Sequence, residues 1–270
     1  MLKRFMNLQD SMKVIQSKQN PQVKQWKKLH TAKGRKQTQS YLIEGFHLVE
    51  EAIQAGCQLQ TLMVTDPNFL EPSWQDRCPA IEISPEIAKE ISQTEQNQGI
   101  FAVIKNNHDS VNLETLINQG SRFLILDNIQ DPGNLGTMIR TADAANYSAV
   151  FMSPQTVDIY NDKVIRATQG SLWHLPCISY PLADLIPKLQ AAAIKVYSSA
   201  LDQTSLDYRQ ISRDQDLAYV IGNEGQGVSP EIQALSDGLV HIPMPGQAES
   251  LNAAVAASIL MFYSLPETEL

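Results

Sequence analysis

From residue 122 onward, apolar segments alternate with segments of helical periodicity, and this alternation limits the possible folds more than any other feature. The apolar segments predict strands at 122–127, 149–152, 193–198, 217–222 and 239–242. The segments between and after them predict helices at 135–146, 182–193, 230–235 and 251–262. Apolar strands that alternate with helices are typical of a parallel sheet covered on both faces. We therefore expect an α/β fold for residues 120–270.

The residues before 107 predict a second, smaller α/β domain. Helices are expected at 21–30, at 46–55 and from residue 85, where Ser84 and a proline form a typical helix start. Strands are expected at 41–45, 61–65, 81–83 and 99–105, and residues 33–38 are expected to form a loop. The predicted domains are thus 1–106 and 120–270, with a linker at 107–119.

The net charge of −8 is distributed unevenly along the chain. Residues 1–40 contain ten of the 21 Lys and Arg residues but only one of the 29 acidic residues, Asp10. A basic arm on an acidic body can bind phosphate groups locally. The alternative is a solvated helix face, with Val23, Trp26 and Leu29 packed inward and the lysines in water.

Cysteine content and hydropathy argue against several other classes of protein. Cys57, Cys78 and Cys177 are far apart and form no CxxC pair, which argues for a reducing compartment and against a disulfide framework or a zinc site. No cluster of His, Cys and Asp has metal-ligand spacing, so no metal is expected. No apolar run approaches the roughly 20 residues of a membrane span. The N-terminus lacks the apolar core of a secretory signal. We expect a cytoplasmic protein that does not bind membranes.

Three groups of polar and small residues follow the strands predicted at 122–127, 217–222 and 239–242. The first contains Asn134, expected to cap a helix, and Arg140, which lies off the buried helical stripe. The second places Glu224 among three glycines. The third contains Ser250, expected to cap a helix, and Asn252, a poor choice inside a first helical turn for stability alone. Open α/β sheets bind ligands beyond the carboxyl ends of their strands, so a site is predicted there. A surface ion pair at Arg140 and an ordinary turn at Glu224 are the alternatives.

These three groups, in this order, resemble the three motifs of the SpoU/TrmH family of the SPOUT superfamily. The matching residues are Asn134 with Arg140-Thr-Ala, Gly222-Asn-Glu-Gly-Gln-Gly, and Ile242-Pro-Met with Ser250-Leu-Asn252. Arg35 and the segment Tyr41-Leu-Ile-Glu-Gly-Phe-His-Leu-Val-Glu-Glu-Ala resemble the small substrate-binding domain that precedes the catalytic domain in many members. That domain has a fold shared with certain ribosomal proteins.

The resemblance implies an RNA ribose 2′-O-methyltransferase that uses S-adenosylmethionine, has a deep trefoil knot and forms a homodimer. By motif position, the expected cofactor-binding residues are Ala200, Gly222, Asn223, Gly225, Ile242, Met244 and Leu251. The expected catalytic residues are Arg140, Asn134, Glu224, Ser250 and Asn252. Lys33, Arg35, Lys36 and Arg166 are expected to bind RNA. A guanidinium is essentially always protonated. We therefore expect Arg140 to hold the target phosphate and ribose and to stabilise the developing alkoxide, with a role as base left open.

The resemblance defines the reaction better than the substrate. The two-domain layout favours ribosomal RNA over transfer RNA, by analogy with the family alone. A transfer RNA 2′-O-methyltransferase or a drug-resistance methylase would have a similar sequence. Two further alternatives are an enzyme that methylates a base nitrogen and a non-catalytic RNA-binding protein that retains the fold. After Arg166 the family tends to have a small-residue run ending in Gly-Ala, where this chain has Ala167-Thr-Gln-Gly-Ser171.

Overall fold

The computed structural model describes residues 12–75, 77–106 and 111–266, and the chain divides into two compact units. The first unit contains the described residues up to 106 together with Tyr160–Trp173. The second contains the described parts of Ser110–Ile159 and His174–Leu270. A segment from the middle of the second predicted domain thus packs with the first unit. Residues 1–11 of the predicted basic arm and 107–110 of the predicted linker lie outside the described residues.

The first unit is built on a five-stranded mixed sheet. Its strands are β1 (Lys13–Ile15), β2 (Ser40–Glu44), β3 (Leu59–Val64), β4 (Ala80–Ile83) and β5 (Ile100–Lys105). They lie in the order β1-β4-β3-β5-β2, and β5 is antiparallel to both of its neighbours. Its helices include α1 (Pro21–Lys28), α2 (Ala32–Thr38), α3 (Phe46–Gln54), α4 (Pro72–Gln75) and α5 (Pro85–Ile91). Helix α2 covers residues that were expected to form a loop.

The second unit contains a seven-stranded sheet in which every pair is parallel. Its strands are β6 (Arg122–Asp127), β7 (Ala149–Met152), β8 (Cys177–Ser179), β9 (Lys195–Ser199), β10 (Leu206–Asp207), β11 (Leu217–Gly222) and β12 (Gly238–His241). Its helices are α6 (Leu113–Gln119), α7 (Pro132–Ala144), α9 (Leu182–Ala191), α10 (Pro230–Leu235) and α11 (Ala253–Tyr263), whereas α8 (Asp162–Thr168) lies in the first unit. The predicted parallel α/β fold is confirmed.

The strand order of this sheet is β10-β12-β9-β11-β6-β7-β8, and helices pack on both faces. On one face, Phe123, Phe151 and Val220 form a core with Leu185 of α9 and Ile232 of α10. On the other, α11 packs against α7 and β11. Since β9 separates β12 from β11, the chain returns across the sheet after β12 to reach this position. Such a return is consistent with the expected knot, and the knot itself stays a prediction. No helix among the described residues is long and apolar enough to cross a membrane.

Two helices of the second unit begin at caps other than the expected ones. Asp131 caps α7, and its Oδ1 accepts a hydrogen bond from the backbone N–H of Asn134 at 2.7 Å. Asn134, the expected cap, therefore lies in the first turn. Asn252 caps α11 by accepting hydrogen bonds from two backbone N–H groups at 2.9 and 3.3 Å. The expected cap, Ser250, lies before the helix. In both cases the true cap leaves the expected cap residue available for other contacts.

Candidate active site

Three loops leave the sheet of the second unit side by side at its carboxyl edge. Strand β9 lies between β12 and β11 and pairs in parallel with both. Ala200, directly after β9, donates its backbone N–H to the carbonyl of Val240 in β12 at 3.0 Å. Gly222 ends β11, and Ile242 follows β12. The loops that begin at these three positions are therefore neighbours.

The loop after β11 folds back so closely that only glycine fits at position 222. A Cβ atom on Gly222 would lie 2.0 Å from the backbone carbon of Gly227 and 2.0 Å from the backbone nitrogen of Val228. Asn223 and Gly227 exchange two backbone hydrogen bonds of 3.0 and 2.8 Å. The Asn223 Oδ1 also accepts from the backbone N–H of Gly225 at 3.0 Å. A closed turn rich in glycine therefore presents backbone rather than bulky side chains at this edge.

The neighbouring predicted cofactor residues add apolar surface to that backbone. Ile242, Met244 and Leu251 are half-buried, and Leu201, next to Ala200, is 80% exposed. Ligand sites for flat organic molecules are mostly apolar and have a few fixed polar groups. Apolar side chains beside glycine-rich backbone meet that description. These residues therefore fit a nucleoside-containing cofactor such as S-adenosylmethionine.

The carboxylate of Glu224 joins the loop after β11 to the loop after β6. Its Oε1 accepts from the backbone N–H of Asp131 at 3.0 Å and from Nδ2 of Asn134 at 3.1 Å, and its Oε2 accepts from the backbone N–H of Gln130 at 3.2 Å. Partial desolvation raises the pKa of Glu224, but these hydrogen bonds and one from its own backbone outweigh it, so the pKa lies below its ordinary value. Glu224 is thus ionised at neutral pH and holds the start of α7.

Asn134 and Asn252 extend this hydrogen-bond chain to α11. The Oδ1 of Asn252 accepts from two backbone N–H groups, so its Nδ2 points away from the helix and donates to Oδ1 of Asn134 at 2.9 Å. The Nδ2 of Asn134 then faces Glu224. Backbone N–H groups only donate and an ionised carboxylate only accepts, so the orientation of both amides is fixed. We refer to Glu224, Asn134 and Asn252 as the amide relay.

The structure does not bring Arg140 and Ser250 into this relay. Both residues are exposed, and neither forms a hydrogen bond or an ion pair with a described residue. Arg140 lies on α7, roughly 9 Å beyond Asn134 along the axis. Helical side chains lean towards the N-terminus, and Gly136 and Gly133 precede Arg140 on the same face of α7. The side chain of Arg140 therefore leans towards the end of α7 where the relay lies.

The residues predicted to bind RNA all lie in the first unit, but in different environments. Lys33 and Lys36 are exposed on α2. Arg35 is only 8% exposed and donates Nη1 to the backbone carbonyl of Leu29 at 2.8 Å, so it stabilises the α1–α2 connection. The RNA contact expected of Arg35 stays a prediction, and only a small part of this residue is exposed. Arg166 forms an ion pair of 2.6 Å with Asp162, one turn earlier on α8.

Helices α1 and α2 also expose lysines that were not predicted as site residues. Lys24 and Lys28 on α1 are exposed and, like Lys33 and Lys36, have no ion-pair partner among the described residues. We call these four residues the hairpin lysines. By contrast, Lys27 forms an ion pair with Glu90. Val23, Trp26 and Leu29 are all buried, as in the alternative in which they pack inward.

Sequence reasoning missed Gln130 and Asp131, which both bind Glu224 through their backbone. The order Asp131-Pro132 was a usable signal for the cap, since an acidic cap followed by proline is a typical helix start. Gln130 carries no such signal. Among the described residues, no group of three His, Cys, Asp or Glu side chains is arranged to hold a metal ion.

Comparisons with known proteins find similar sequences and similar solved structures over most of the chain. Residues 121–262 match the SpoU rRNA Methylase family, and residues 20–102 match the MRM3-like substrate binding domain. The chain is 39% identical over 252 residues to the 23S rRNA (guanosine(2553)-2'-O)-methyltransferase RlmP of Bacillus subtilis, covering 93% of this chain and 99% of that protein. It is similar to the solved structure of an AdoMet-bound rRNA methyltransferase from Sinorhizobium meliloti, with 30% identity, a TM-score of 0.85 and coverage of 94% and 97%. It also resembles the SpoU methyltransferase AviRb from Streptomyces viridochromogenes in complex with AdoMet, with 26% identity, a TM-score of 0.81 and coverage of 91% and 97%.

Proposed function

Because the chain belongs to the SpoU rRNA Methylase family, we propose that it transfers a methyl group from S-adenosylmethionine to a ribose 2′-hydroxyl of ribosomal RNA. The observation that carries this proposal is the amide relay. Glu224, Asn134 and Asn252 come from three separate sequence motifs, yet they form one hydrogen-bond chain. This series of hydrogen bonds lies at the edge of the sheet where parallel α/β sheets bind their ligands. A guanosine of 23S rRNA, the substrate named for the Bacillus subtilis relative, is the proposed target.

We place S-adenosylmethionine at the carboxyl edge of β9, β11 and β12. The loops that begin at Ala200, Gly222 and Ile242 supply backbone polar groups, and the half-buried side chains of Met244 and Leu251 supply apolar surface. Asn223 and Gly225 shape the turn of the loop that begins at Gly222. When bound, the cofactor supplies a methyl group on a sulfonium, which needs no further activation by the protein.

The tasks left to the protein are to align the ribose 2′-hydroxyl and to stabilise its oxygen as the proton leaves. We assign both tasks to Arg140, whose guanidinium stays protonated and can bind a phosphate and a developing oxyanion through a planar fork. Arg140→Lys keeps the charge but not the fork. Losing one charge-assisted hydrogen bond of about 2 kcal/mol predicts a roughly 30-fold slower transfer. A wild-type rate in the lysine variant would contradict this role.

The hairpin lysines are proposed to hold the RNA backbone. Each phosphate contact contributes roughly 0.7 to 0.9 to the slope of log binding constant against log salt. Replacing Lys24, Lys28, Lys33 and Lys36 with Gln should therefore reduce that slope by about 3. Lys27→Gln is a matched control, because Lys27 is already paired with Glu90, and it should leave the slope unchanged. Equal slopes for the fourfold variant and the wild type would remove these lysines from the interface.

A homodimer is proposed from the exposed face of α11. The helix is apolar around its whole circumference (Ala-Ala-Val-Ala-Ala-Ser-Ile-Leu-Met-Phe-Tyr), a pattern of helices that are buried on all sides. Nevertheless, Val255 and Phe262 are 48% and 45% exposed in the single chain. A second copy would cover them. Light scattering should report a dimer for the wild type and a monomer for Phe262→Glu, whereas a monomeric wild type would contradict the proposal.

The test of the function is transfer of labelled methyl groups to RNA that lacks its native modifications. The purified chain is incubated with labelled S-adenosylmethionine and with separated 23S, 16S and transfer RNA fractions. We expect label in 23S rRNA. Label in transfer RNA alone would support methyltransferase activity but contradict ribosomal RNA as the substrate. An absence of label in every fraction, together with an absence of cofactor binding, would support a non-catalytic RNA-binding protein.

A further inference from the structure

Gln130 has no part in the proposed catalysis, yet several hydrogen bonds orient its side chain beside the amide relay. It lies between β6 and α7, directly before the cap Asp131, and it is exposed. Its backbone N–H donates to Oε2 of Glu224 at 3.2 Å, while Nδ2 of Asn134 donates to the other oxygen of the same carboxylate. The backbone of Gln130 and the side chain of Asn134 thus bind the same carboxylate.

The hydrogen bonds of the Gln130 amide determine which way it faces. Its Nε2 donates to the backbone carbonyl of Gln155 at 2.8 Å and to Oδ1 of Asn128 at 2.7 Å, and the backbone carbonyl of Asn128 is 3.4 Å away. Backbone carbonyls only accept, so reversing the amide would turn oxygen against oxygen. Both hydrogens of the NH₂ group are used. The remaining atom, Oε1, forms no hydrogen bond with a described residue.

The groups that hold Nε2 are themselves fixed by neighbouring loops. The backbone carbonyl of Asn128 accepts from Nδ2 of Asn223 at 2.9 Å, and its backbone N–H donates to Oγ of Ser153 at 2.9 Å. The loop after β7 is tied to the same turn, because the backbone N–H of Val157 donates to the carbonyl of Ile129 at 2.9 Å. An acceptor held in this way loses little conformational entropy on binding and is aimed in advance.

We propose that Oε1 of Gln130 accepts a hydrogen bond from the base of the target nucleotide and selects guanine. This inference rests on the proposed function, since it requires an RNA nucleotide at the relay. Proteins read unstacked RNA bases through hydrogen bonds to their Watson–Crick edges. On this edge guanine presents N–H donors at N1 and at its 2-amino group, whereas adenine presents an acceptor at N1 and a donor only at its 6-amino group. An acceptor placed opposite N1 therefore pairs with guanine and would face the lone pair of N1 in adenine.

The test compares kcat/KM on RNA stem–loops that carry guanosine or adenosine at the methylated position. The variant is Gln130→Met, which keeps the side-chain length and removes the acceptor. We expect the wild type to prefer guanosine and the variant to lose about 3- to 10-fold of that preference, the worth of one neutral hydrogen bond. Gln155→Met is the matched control, because Gln155 contributes only its backbone carbonyl, and it should keep the preference.

A second variant, Gln130→Glu, keeps an acceptor but places an oxygen against two carbonyls, so it should also lose the preference. Thermal unfolding of each variant shows whether it folds, and S-adenosylmethionine affinity should stay unchanged. Three results would overturn the inference: equal rates of the wild type on both RNAs, a preference retained by both Gln130 variants, or weaker cofactor binding as the main defect. If the wild type methylates the guanosine and adenosine RNAs at equal rates, the proposed function stands and only this inference fails. If the wild type methylates no RNA, both the proposed function and this inference fail.

Discussion

Replacing Asn252 with Asp separates the two roles of this residue. The Oδ1 atom caps α11, and Nδ2 donates to Asn134. Asn252→Asp keeps an oxygen for the cap and removes the donor to Asn134, whereas Asn252→Ala removes both interactions. The pair of variants therefore distinguishes a structural role for Asn252 from a role in ordering the site.

The expected effect of Asn252→Asp on stability is small. Asn and Asp are about equally good caps, whereas Ala costs about 1 kcal/mol. The lost hydrogen bond to Asn134 costs about 1 kcal/mol. The negative charge of the new aspartate at the start of α11 is stabilising by roughly 0.3 to 1 kcal/mol and offsets part of this loss. The aspartate variant should thus unfold within about 1 kcal/mol of the wild type, and the alanine variant about 2 kcal/mol below it.

The expected effect of Asn252→Asp on activity is large. A carboxylate oxygen would face Oδ1 of Asn134, and reversing the Asn134 amide would turn the same oxygen against Glu224. Asn134 must therefore move, and a displacement of about 1 Å at a reacting site costs on the order of 100-fold in rate. Single-turnover methyl transfer, measured beside thermal unfolding, checks both effects. A wild-type rate in the aspartate variant, or a stability loss equal to that of the alanine variant, would refute the reasoning.

Three further predictions concern single residues of the second unit. Gly222→Ala would place a Cβ atom 2.0 Å from the backbone of Gly227 and should lower the free energy of unfolding by about 2 kcal/mol or more. Denaturant titration measures this loss, and an unchanged midpoint would contradict the prediction. Tyr219→Phe removes a fully buried hydroxyl that has no hydrogen-bond partner among the described residues, so stability should stay equal or rise by up to about 1 kcal/mol; a clear loss on thermal unfolding would argue against this. Glu224→Gln should be destabilising by a constant amount above about pH 5, because the lowered pKa of Glu224 stabilises the fold wherever the carboxyl is ionised. This difference should vanish as the pH falls through the folded-state pKa of Glu224, below its ordinary value of about 4.3, and a difference that persists undiminished at pH 2 would count against it.

The central strands could be predicted from the sequence because local pattern and burial coincide there. Strands β6, β7 and β11 begin and end at the predicted residues, since they are buried on both faces and are apolar apart from Arg122 and Asp127 at the two ends of β6. The edge strand β10 has only two residues and is defined by its pairing with β12. A local sequence pattern therefore does not predict it. Segment Tyr160–Trp173 likewise packs with residues far away in sequence, as in the stacking of Tyr160 on Tyr41.

The motifs predict which residues form the candidate site but not the contacts between them. Ser250 and Asn252 are both good caps, and the sequence alone does not determine which of them begins α11. The assignment of Asn252 to the cap fixes its Nδ2, and only then does the link to Asn134 follow. The burial of Arg35 is likewise not evident from the sequence, because arginines are mostly exposed, whereas its guanidinium binds the carbonyl of Leu29. Side-chain partners of this kind depend on tertiary geometry.

The position of the transferred methyl group on the nucleoside tests the central claim most directly. RNA labelled by the wild-type chain is digested to nucleosides, which are then separated and identified by mass spectrometry. We expect all of the label in a 2′-O-methylated ribonucleoside, and we expect it to be lost in the Arg140→Ala variant. Label on a base nitrogen would contradict the claim, because the relay and Arg140 would then serve a different nucleophile.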